Sequence, residues 1–320
     1  MIALVASNPN GTNGLLVDAW RAFGLDVVVV HPSRCLDHLR AGDTAIGRID
    51  VRRSIDGVQP GLLELVELSR RGVTVLNGPS ALIKAHDKLR TARALHGAHM
   101  PHPRTEHVTL GSPPASIGPP VVLKPRFGSW GVDVVRCETS AELFDATAEI
   151  ADHEWFRMQG ALVQRLVPPA GYDLRVLIAG GRVVGSVSRV AAPGEWRTNI
   201  ALGGHRRPVV APPRAQALAL AAAATIRAGL VGVDLLPDGD DYTVIEINGA
   251  VDFDPSYSLP GRDVFEDVAI ALGLFGSDEL TDDEIAGYRR RFLNRPVRTM
   301  LEGAASAGVA VTAGIVPPVA

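Results

Sequence analysis

The sequence predicts an α/β protein of two or three subdomains, and three observations carry that expectation. Its 320 residues exceed what a single hydrophobic core organises. The chain up to Asn77 alternates short apolar runs with helical patterns, the signature of a parallel sheet wrapped by crossovers. Further on, two pairs of apolar runs meet at glycine-containing turns, as antiparallel hairpins do. An apolar fraction of 46% with 21% charged residues is ordinary globular usage, which excludes disorder, collagen-like repeats and coiled coil.

Taken in order, Ile2 to Ala6 reads as a strand, NPNGTNG as a turn, Leu15 to Phe23 as a helix and Val27 to Val30 as a β-branched strand. AIGRIDVR, a helix over about 61–71 and the strand VTVLN complete a Rossmann-like half-domain over 1–85. Its first turn lacks a GxGxxG pattern, so no dinucleotide is assigned to it. From Pro79, ALIKAHDKLRTARALHGAHMPHP reads as one helix ended by Gly97 and the prolines. GSPPASIGPP is a linker by composition and marks a boundary near residue 120. VVLKP, RFGSWG, VDVV, a helix Ser140 to Ile150 and ALVQRLV form a small unit over about 120–165 that could move as a lid. The hairpin DLRVLIAGGRVVGSVSRVA, the polar loop GEWRTNIALGGHRRP, an Ala-rich helix from Pro213 to Ala228 and the hairpin VGVDLLPDGDDYTVIEIN follow. A helix near Asp263 to Leu272 ends a unit over 86–285. The basic stretch YRRRFLNRPVR and a nearly uncharged tail make a C-terminal extension over 286–320.

The net charge of −3 is too balanced for blanket neutralisation of nucleic acid, so any phosphate site is local. Cys35 and Cys137 form neither a CxxC nor a Cys/His cluster, which indicates neither a disulfide framework nor a structural zinc. MIALVAS is no secretory leader, and no apolar run reaches membrane-spanning length; the expectation is a cytoplasmic protein. Arginine outnumbers lysine 29 to three, with lysine only at 84, 88 and 124. Against such a bias, a surviving lysine marks either chance or a place that needs a compact ammonium.

The second hairpin is the most informative segment. Side chains alternate along strands, so an even cross-strand register puts Asp234, Glu246 and Asn248 on one face. Facing carboxylates repel unless something neutralises them, and two carboxylates with an amide oxygen are hard ligands suited to Mg²⁺. The competing reading is a solvated acidic edge, as at Asp238, Asp240 and Asp241. Glu246 interrupts the apolar run VIEIN, where a half-buried strand carries an unpaired carboxylate at a cost. Upstream, Gly128 and Gly131 flank Ser129 in RFGSWG, a loop whose backbone N–H groups could approach phosphates, and Lys124 ends the preceding strand. A plain hairpin connection is the alternative for this loop, and a surface charge the alternative for Lys88.

A strand lysine, a glycine loop, a helix lysine and a downstream Asp/Glu/Asn set together resemble the ATP-grasp ligases, and among them the RimK-like carboxylate-amine ligases. The matching segments are DKLRTARALHGAHMPHPRT, VVLKPRFGSWGVDVV, LVQRLV, GYDLRVLIAGGRVVGSVSRVA, GEWRTN, VGVDLL and VIEIN, in order from about residue 77 to 272. The resemblance implies an ATP-grasp fold with ATP between the lid and the antiparallel-sheet subdomain. It implies that Lys88 and Lys124 contact phosphates and that the backbone of Gln164, Arg165, Leu166 and Val167 reads the adenine edge. Asp173 would bind ribose, and Arg197 and Asn199 would lie beside the triphosphate. Arg189 and Arg175 would stabilise the reacting oxyanion, with Asn199 acting alongside them. Asp234, Glu246 and Asn248 match the ligands of Mg²⁺, for which Mn²⁺ could substitute.

The activity implied is ligation of a carboxylate to an amine, such as an amino acid, through an acyl phosphate, with small-molecule or peptide substrates and a homo-oligomer as the assembly to test. A D-alanine–D-alanine or glutathione-synthetase type of ligase is the alternative within the fold, and a non-catalytic ATP-binding module the alternative outside it. Arg165 stands where the family commonly has Glu, and Val190 where a second Arg often follows the one matching Arg189. GAVDFDPSYSLPGRDVF replaces a short proline-glycine turn after Asn248, so a different acceptor pocket is expected.

Overall fold

Short runs of β-branched and small apolar residues build the first sheet: β1 (Ile2–Val5), β2 (Val27–Val30), β3 (Thr44–Gly47) and β4 (Thr74–Leu76). Their order is β2-β1-β3-β4 and every pairing is parallel. The crossovers are α1 (Thr12–Ala22), α2 (Cys35–His38) and α3 (Leu62–Arg70). Parallel strands are covered on both faces, which is why Ala3, Leu4 and Val5 are all fully buried. The computed structural model describes residues 1–49, 61–112 and 115–275. The end of AIGRIDVR, the centre of the linker, YRRRFLNRPVR and the expected 286–320 extension lie outside them. By internal contacts the chain divides into Met1–Leu274 and Phe275–Ala320, and the described helices and strands all belong to the first unit.

The single helix expected from Pro79 to Gly97 is two, α4 (Pro79–His86) and α5 (Lys88–Gly97). Asp87 between them is extended, at φ −88° and ψ 98°, and its carboxylate accepts from the backbone N–H groups of Leu89 and Arg90. An aspartate at this position offers the backbone a better partner than a continued helix does. The break is locked by Arg126, whose guanidinium meets both carboxylate oxygens at 2.8 and 2.5 Å. Lys88 therefore opens a helix and points towards the loop that holds Gly128.

A second sheet, in order β5-β8-β6-β7, contains β5 (Thr105–Val108), β6 (Val121–Pro125), β7 (Val135–Cys137) and β8 (Ala161–Arg165), all antiparallel. The sequence reading missed β5, which lies upstream of the proline-rich linker, and placed the strand after RFGSWG at VDVV, whereas it begins at Val135. α6 (Ser140–Ile150) matches its expected bounds and is capped by Thr139; the short α7 (Glu154–Gln159) was not anticipated.

The third sheet has order β11-β10-β9-β12-β13. β9 (Tyr172–Ala179) and β10 (Arg182–Val190) turn through Gly180 and Gly181, both at positive φ as a tight two-residue turn requires. β11 (His205–Pro208) lies inside what the sequence suggested was only a polar loop, and it pairs with β10. β12 (Leu230–Asp238) and β13 (Asp241–Asn248) form the second hairpin. One face of this sheet packs on α8 (Pro213–Ile226): Leu174, Val176, Ile178, Val231, Val233, Leu235, Val244 and Ile247 join Ala215, Ala219, Ala222 and Ala223 in one core. Its alanines let the helix lie close to the strands. α9 (Val264–Ala271), capped by Asp263, closes the unit and accepts a hydrogen bond from Trp20 at Phe265 O.

Replacing Asp87 separates its two roles. Asp87→Asn keeps a capping side chain and loses the ion pair, while Asp87→Ala loses both, so in urea unfolding the alanine variant should be the less stable by about 1 kcal/mol. Equal losses would mean that the cap contributes nothing.

Candidate functional site

The other face of the third sheet is polar, and the reason is parity. At its turn the hairpin register is odd, with Asp238 opposite Asp241 and Leu235 opposite Val244. Continued, it would set Ile245 against Asp234 and turn Glu246 into the core beneath. A β-bulge between Leu235 and Asp234 adds Ile245 to β13, after which Asp234 faces Glu246 and Gly232 faces Asn248. The even register assumed from the sequence thus holds at the site and fails at the turn; the extra residue reconciles them.

Asp234 lies at the centre of this face. Arg175 Nε and Nη2 donate to its two oxygens at 2.7 Å each, Arg189 Nη2 donates at 2.9 Å, and Asn248 Nδ2 donates at 3.2 Å. Arg189 also grips Asp173 through Nε at 2.8 Å and through Nη2, and Thr198 Oγ1 donates to the same carboxylate at 2.6 Å. Burial alone would raise the Asp234 pKa; the Arg175 and Arg189 guanidiniums outweigh it and hold the group at about 2. For Asp173, burial and the charge of Asp234 prevail over Arg189, and its pKa is raised. The Asp173 oxygens accept from Arg189 and Thr198, so the expected ribose contact would require one of those donors to give way.

A cleft runs from this face to the second sheet. Lys88, Lys124, Gly128, Ser129, Gly131, Gln164, Arg165, Leu166, Val167, Asp173, Arg189, Arg197, Asn199, Asp234 and Glu246 all line it. Of the residues singled out in the sequence, Arg175 and Asn248 do not line it; both reach it through Asp234. Lys88 Nζ lies 3.0 Å from Glu246 Oε1 and donates to Gly128 O at 2.5 Å. Arg197 is held by Glu195, at 3.0 and 2.8 Å, and donates to Gly131 O at 2.9 Å. Gly131 sits at φ 74°, and a Cβ there would stand 2.7 Å from Asn199 Oδ1, so glycine is favoured on both counts. Two of the three lysines therefore meet at the cleft, where the compact ammonium has a use.

Lys124 is buried and donates to Gln164 Oε1 at 2.7 Å. Burial, with nearby Lys88, lowers its pKa to about 8 against the pull of Glu246. The Gln164 side chain is turned inward, and only the strand it sits on borders the cleft as the expected hinge. Sequence reading missed Arg126, Thr198 and His102. Thr198 sits within GEWRTN, and Arg126 opens RFGSWG, so adjacency to those motifs was the available signal.

Asp234, Glu246 and Asn248 carry oxygens on one face, a set whose chemistry suits Mg²⁺, though Asp234 would have to exchange one of its four present donors for the ion. Among the described residues no three His, Cys, Asp or Glu side chains gather around one point, so Asn248 is needed to complete a set of three. No helix among the described residues is long and apolar enough to cross a membrane.

A β-bulged carboxylate pair thus faces a glycine loop across a cleft between two antiparallel sheets, the arrangement expected from the resemblance to ATP-grasp ligases. Residues 87–269 match the model of the RimK-like ATP-grasp domain, and the chain belongs to that family. The "Probable alpha-L-glutamate ligase" of Thioalkalivibrio sulfidiphilus (strain HL-EbGR7) is 31% identical over 265 residues, 78% of this chain and 87% of its own length. Among solved structures, a RimK domain ATP-grasp protein from Sphaerobacter thermophilus DSM 20745 superposes with a TM-score of 0.62 at 24% identity, covering 85% of this chain and 98% of that one. D-alanine–D-alanine ligase from Bacillus anthracis complexed with ATP gives 0.61 at 15% identity, covering 86% and 97%. At these identities the two structures speak for the fold.

Burial, ahead of neighbouring charges, holds both His86 and His102 at about 4, down from 6.5. The unfolded imidazoles take up protons as pH falls below 6.5 and the folded ones only near 4, so stability is full above 6.5 and is lost as pH falls towards 4. Thermal unfolding followed across that window should show a falling midpoint. The double variant His86→Gln, His102→Gln should flatten it.

Proposed function

We propose that the protein is an ATP- and Mg²⁺-dependent carboxylate-amine ligase that activates an acid as its acyl phosphate, joins it to an amine and releases ADP and phosphate. The observation that carries this reading is the bulged hairpin, which turns Glu246 and Asn248 towards Asp234 on the cleft side and opposite the glycine loop. A carboxylate acylates poorly until one oxygen is phosphorylated, and phosphoryl transfer is largely positioning plus charge neutralisation.

The residues divide the work. Lys88 and Arg197 hold the carbonyls of Gly128 and Gly131; on nucleotide entry both cations exchange those carbonyls for phosphate oxygens, freeing the loop to turn its N–H groups inward. Lys124 supplies a third cation from the cleft wall. Asp234, Glu246 and Asn248 would hold Mg²⁺ or Mn²⁺, which when bound neutralises phosphate charge. Arg189, with Arg175 behind Asp234, faces the reacting carboxylate and stabilises its oxyanion; Asp173 keeps Arg189 in place. Asn199 packs on Gly131 and keeps the loop tip against the site. Closure of the glycine loop excludes water from the acyl phosphate.

The name carried by the Thioalkalivibrio relative makes glutamate the first amine to try, although Val190 and the segment after Asn248 argue for a different acceptor pocket. ADP release with pooled amino acids and carboxylic acids tests the reading. Glu246→Gln should abolish turnover while the fold survives; near-normal turnover would remove the metal assignment. Lys124→Ala should raise the KM for ATP or slow the phosphoryl step by about tenfold or more. ATP binding without turnover across broad pools would make the protein a binding module instead.

A further inference from the structure

His102 lies between two prolines in MPHP, the segment joining α5 to β5, and it touches both walls of the cleft. On one side the segment runs along the edge strand β13: Val244 N donates to Pro101 O at 3.0 Å, and His102 Nδ1 lies 2.8 Å from Val244 O. On the other side His102 Nε2 lies 3.3 Å from Gln164 Nε2, on β8.

The proton positions follow from chemistry. A carbonyl oxygen only accepts, so His102 Nδ1 carries the hydrogen towards Val244. Burial, with Lys124 nearby, keeps the ring neutral at physiological pH, with its pKa lowered to about 4. Its Nε2 is then a bare acceptor with Gln164 Nε2 and the Thr105 hydroxyl both 3.3 Å away; the hydroxyl's one hydrogen goes to Pro103 O at 2.8 Å, which leaves the Gln164 amide to present nitrogen to the ring. Thr105 requires the same orientation: its hydroxyl donates to Pro103 O at 2.8 Å and so accepts from Gln164 Nε2 at 2.7 Å. Both amide hydrogens are spent, and Gln164 Oε1 must point the other way, where Lys124 Nζ meets it at 2.7 Å. An amide turned end for end would set an NH₂ against the ammonium and an oxygen against a bare ring nitrogen.

We propose that His102 is a positioning residue of the nucleotide site, acting through the fixed amide of Gln164 to aim the Lys124 ammonium into the cleft. The proposal rests on Lys124 contacting the nucleotide, as the ligase reading requires. It gives Gln164 a task other than the adenine contact expected of its strand, and it ties the lysine on the second sheet to the bulged edge of the third.

The test compares His102→Leu, which removes both ring nitrogens, with His102→Gln, which returns an acceptor towards Gln164. ATP affinity is read by calorimetry and KM values by ADP release. His102→Leu should weaken ATP binding and raise its KM by about tenfold, leaving the KM values of acid and amine unchanged. His102→Gln should recover most of that loss, and in a Gln164→Met background His102→Leu should add little further. Unchanged ATP affinity in His102→Leu, an equal rise in every KM, or no recovery with Gln overturns the proposal while leaving the ligase reading intact. Wild-type protein that binds no ATP overturns both. Nitrogen NMR of the wild-type ring decides independently of any variant's folding: a proton on Nδ1 with bare Nε2 supports the relay, and the opposite tautomer or an imidazolium sinks it.

Discussion

One inserted residue, Ile245, fixes which way the chemistry faces. The two-residue turn of the last hairpin imposes an odd register, and an odd register carried to the strand end would drive Glu246 into the alanine-lined core under α8. Burying an unpaired carboxylate there costs several kcal/mol, roughly the whole of a typical stability margin. The bulge lets Val244 and Ile247 both reach that core while Glu246 and Asn248 turn to the opposite face, where Glu246 lines the cleft. It sits on an edge strand, where the disturbed backbone has room to find other partners. Pro101 and His102 supply them at Val244. This strap thus grips β13 at the residue just before the inserted one.

The charges fall into two groups with different tasks. Asp173, Asp234, Arg175 and Arg189 are bound to one another in a buried network, and each guanidinium edge is matched to a carboxylate. Removing any member strands its partner, so the four residues of this floor hold one another in place. Lys88 and Arg197 hold backbone carbonyls of the glycine loop instead. Those contacts are individually weak against a phosphate oxygen, since an ion pair in a desolvated cleft outweighs a neutral carbonyl. A rigid floor and an exchangeable rim are what a site needs if it must open, admit a polyanion and close.

Much of this was legible in the sequence because it rests on local rules. The parallel sheet followed from alternation and the hairpins from their glycine-containing turns, and α6 and α9 were read close to their observed bounds. What was hidden depends on pairing between distant segments. The polar β11 and the mixed TEHV of β5 carry no apolar rhythm, because each lies at the edge of its sheet and takes its structure from a neighbour's backbone. The break at Asp87 interrupts a helical pattern whose spacing alone gives no warning; the capping aspartate was the one clue, and its lock, Arg126, lies 39 residues on. The parity argument reached the right face through a register it had wrong at the turn, because no residue in YTVIEIN announces a bulge.

The segment after Asn248 lies inside the matched 87–269, as Lys88 through Asn248 do, but it is held in place by different parts of the chain. Past Asp234 the sheet face is sealed by the segment after Asn248: a Cβ on Gly232 would stand 2.5 Å from Val251, and one on Gly185 2.5 Å from Tyr257 O. That segment is fastened in turn to the first subdomain, with Thr12 bonded to Phe253 in both directions at 3.0 Å and Arg48 donating to Val251 O at 2.8 Å. Arg206, beside Arg189 on β11, fastens it again through Asp254 at 2.8 Å. The segment after Asn248 is thus anchored by Thr12, Arg48 and Arg206, none of which lines the cleft, so substitutions in those anchors can reshape the covered sheet face without removing any member of the Asp173–Asp234 arginine network.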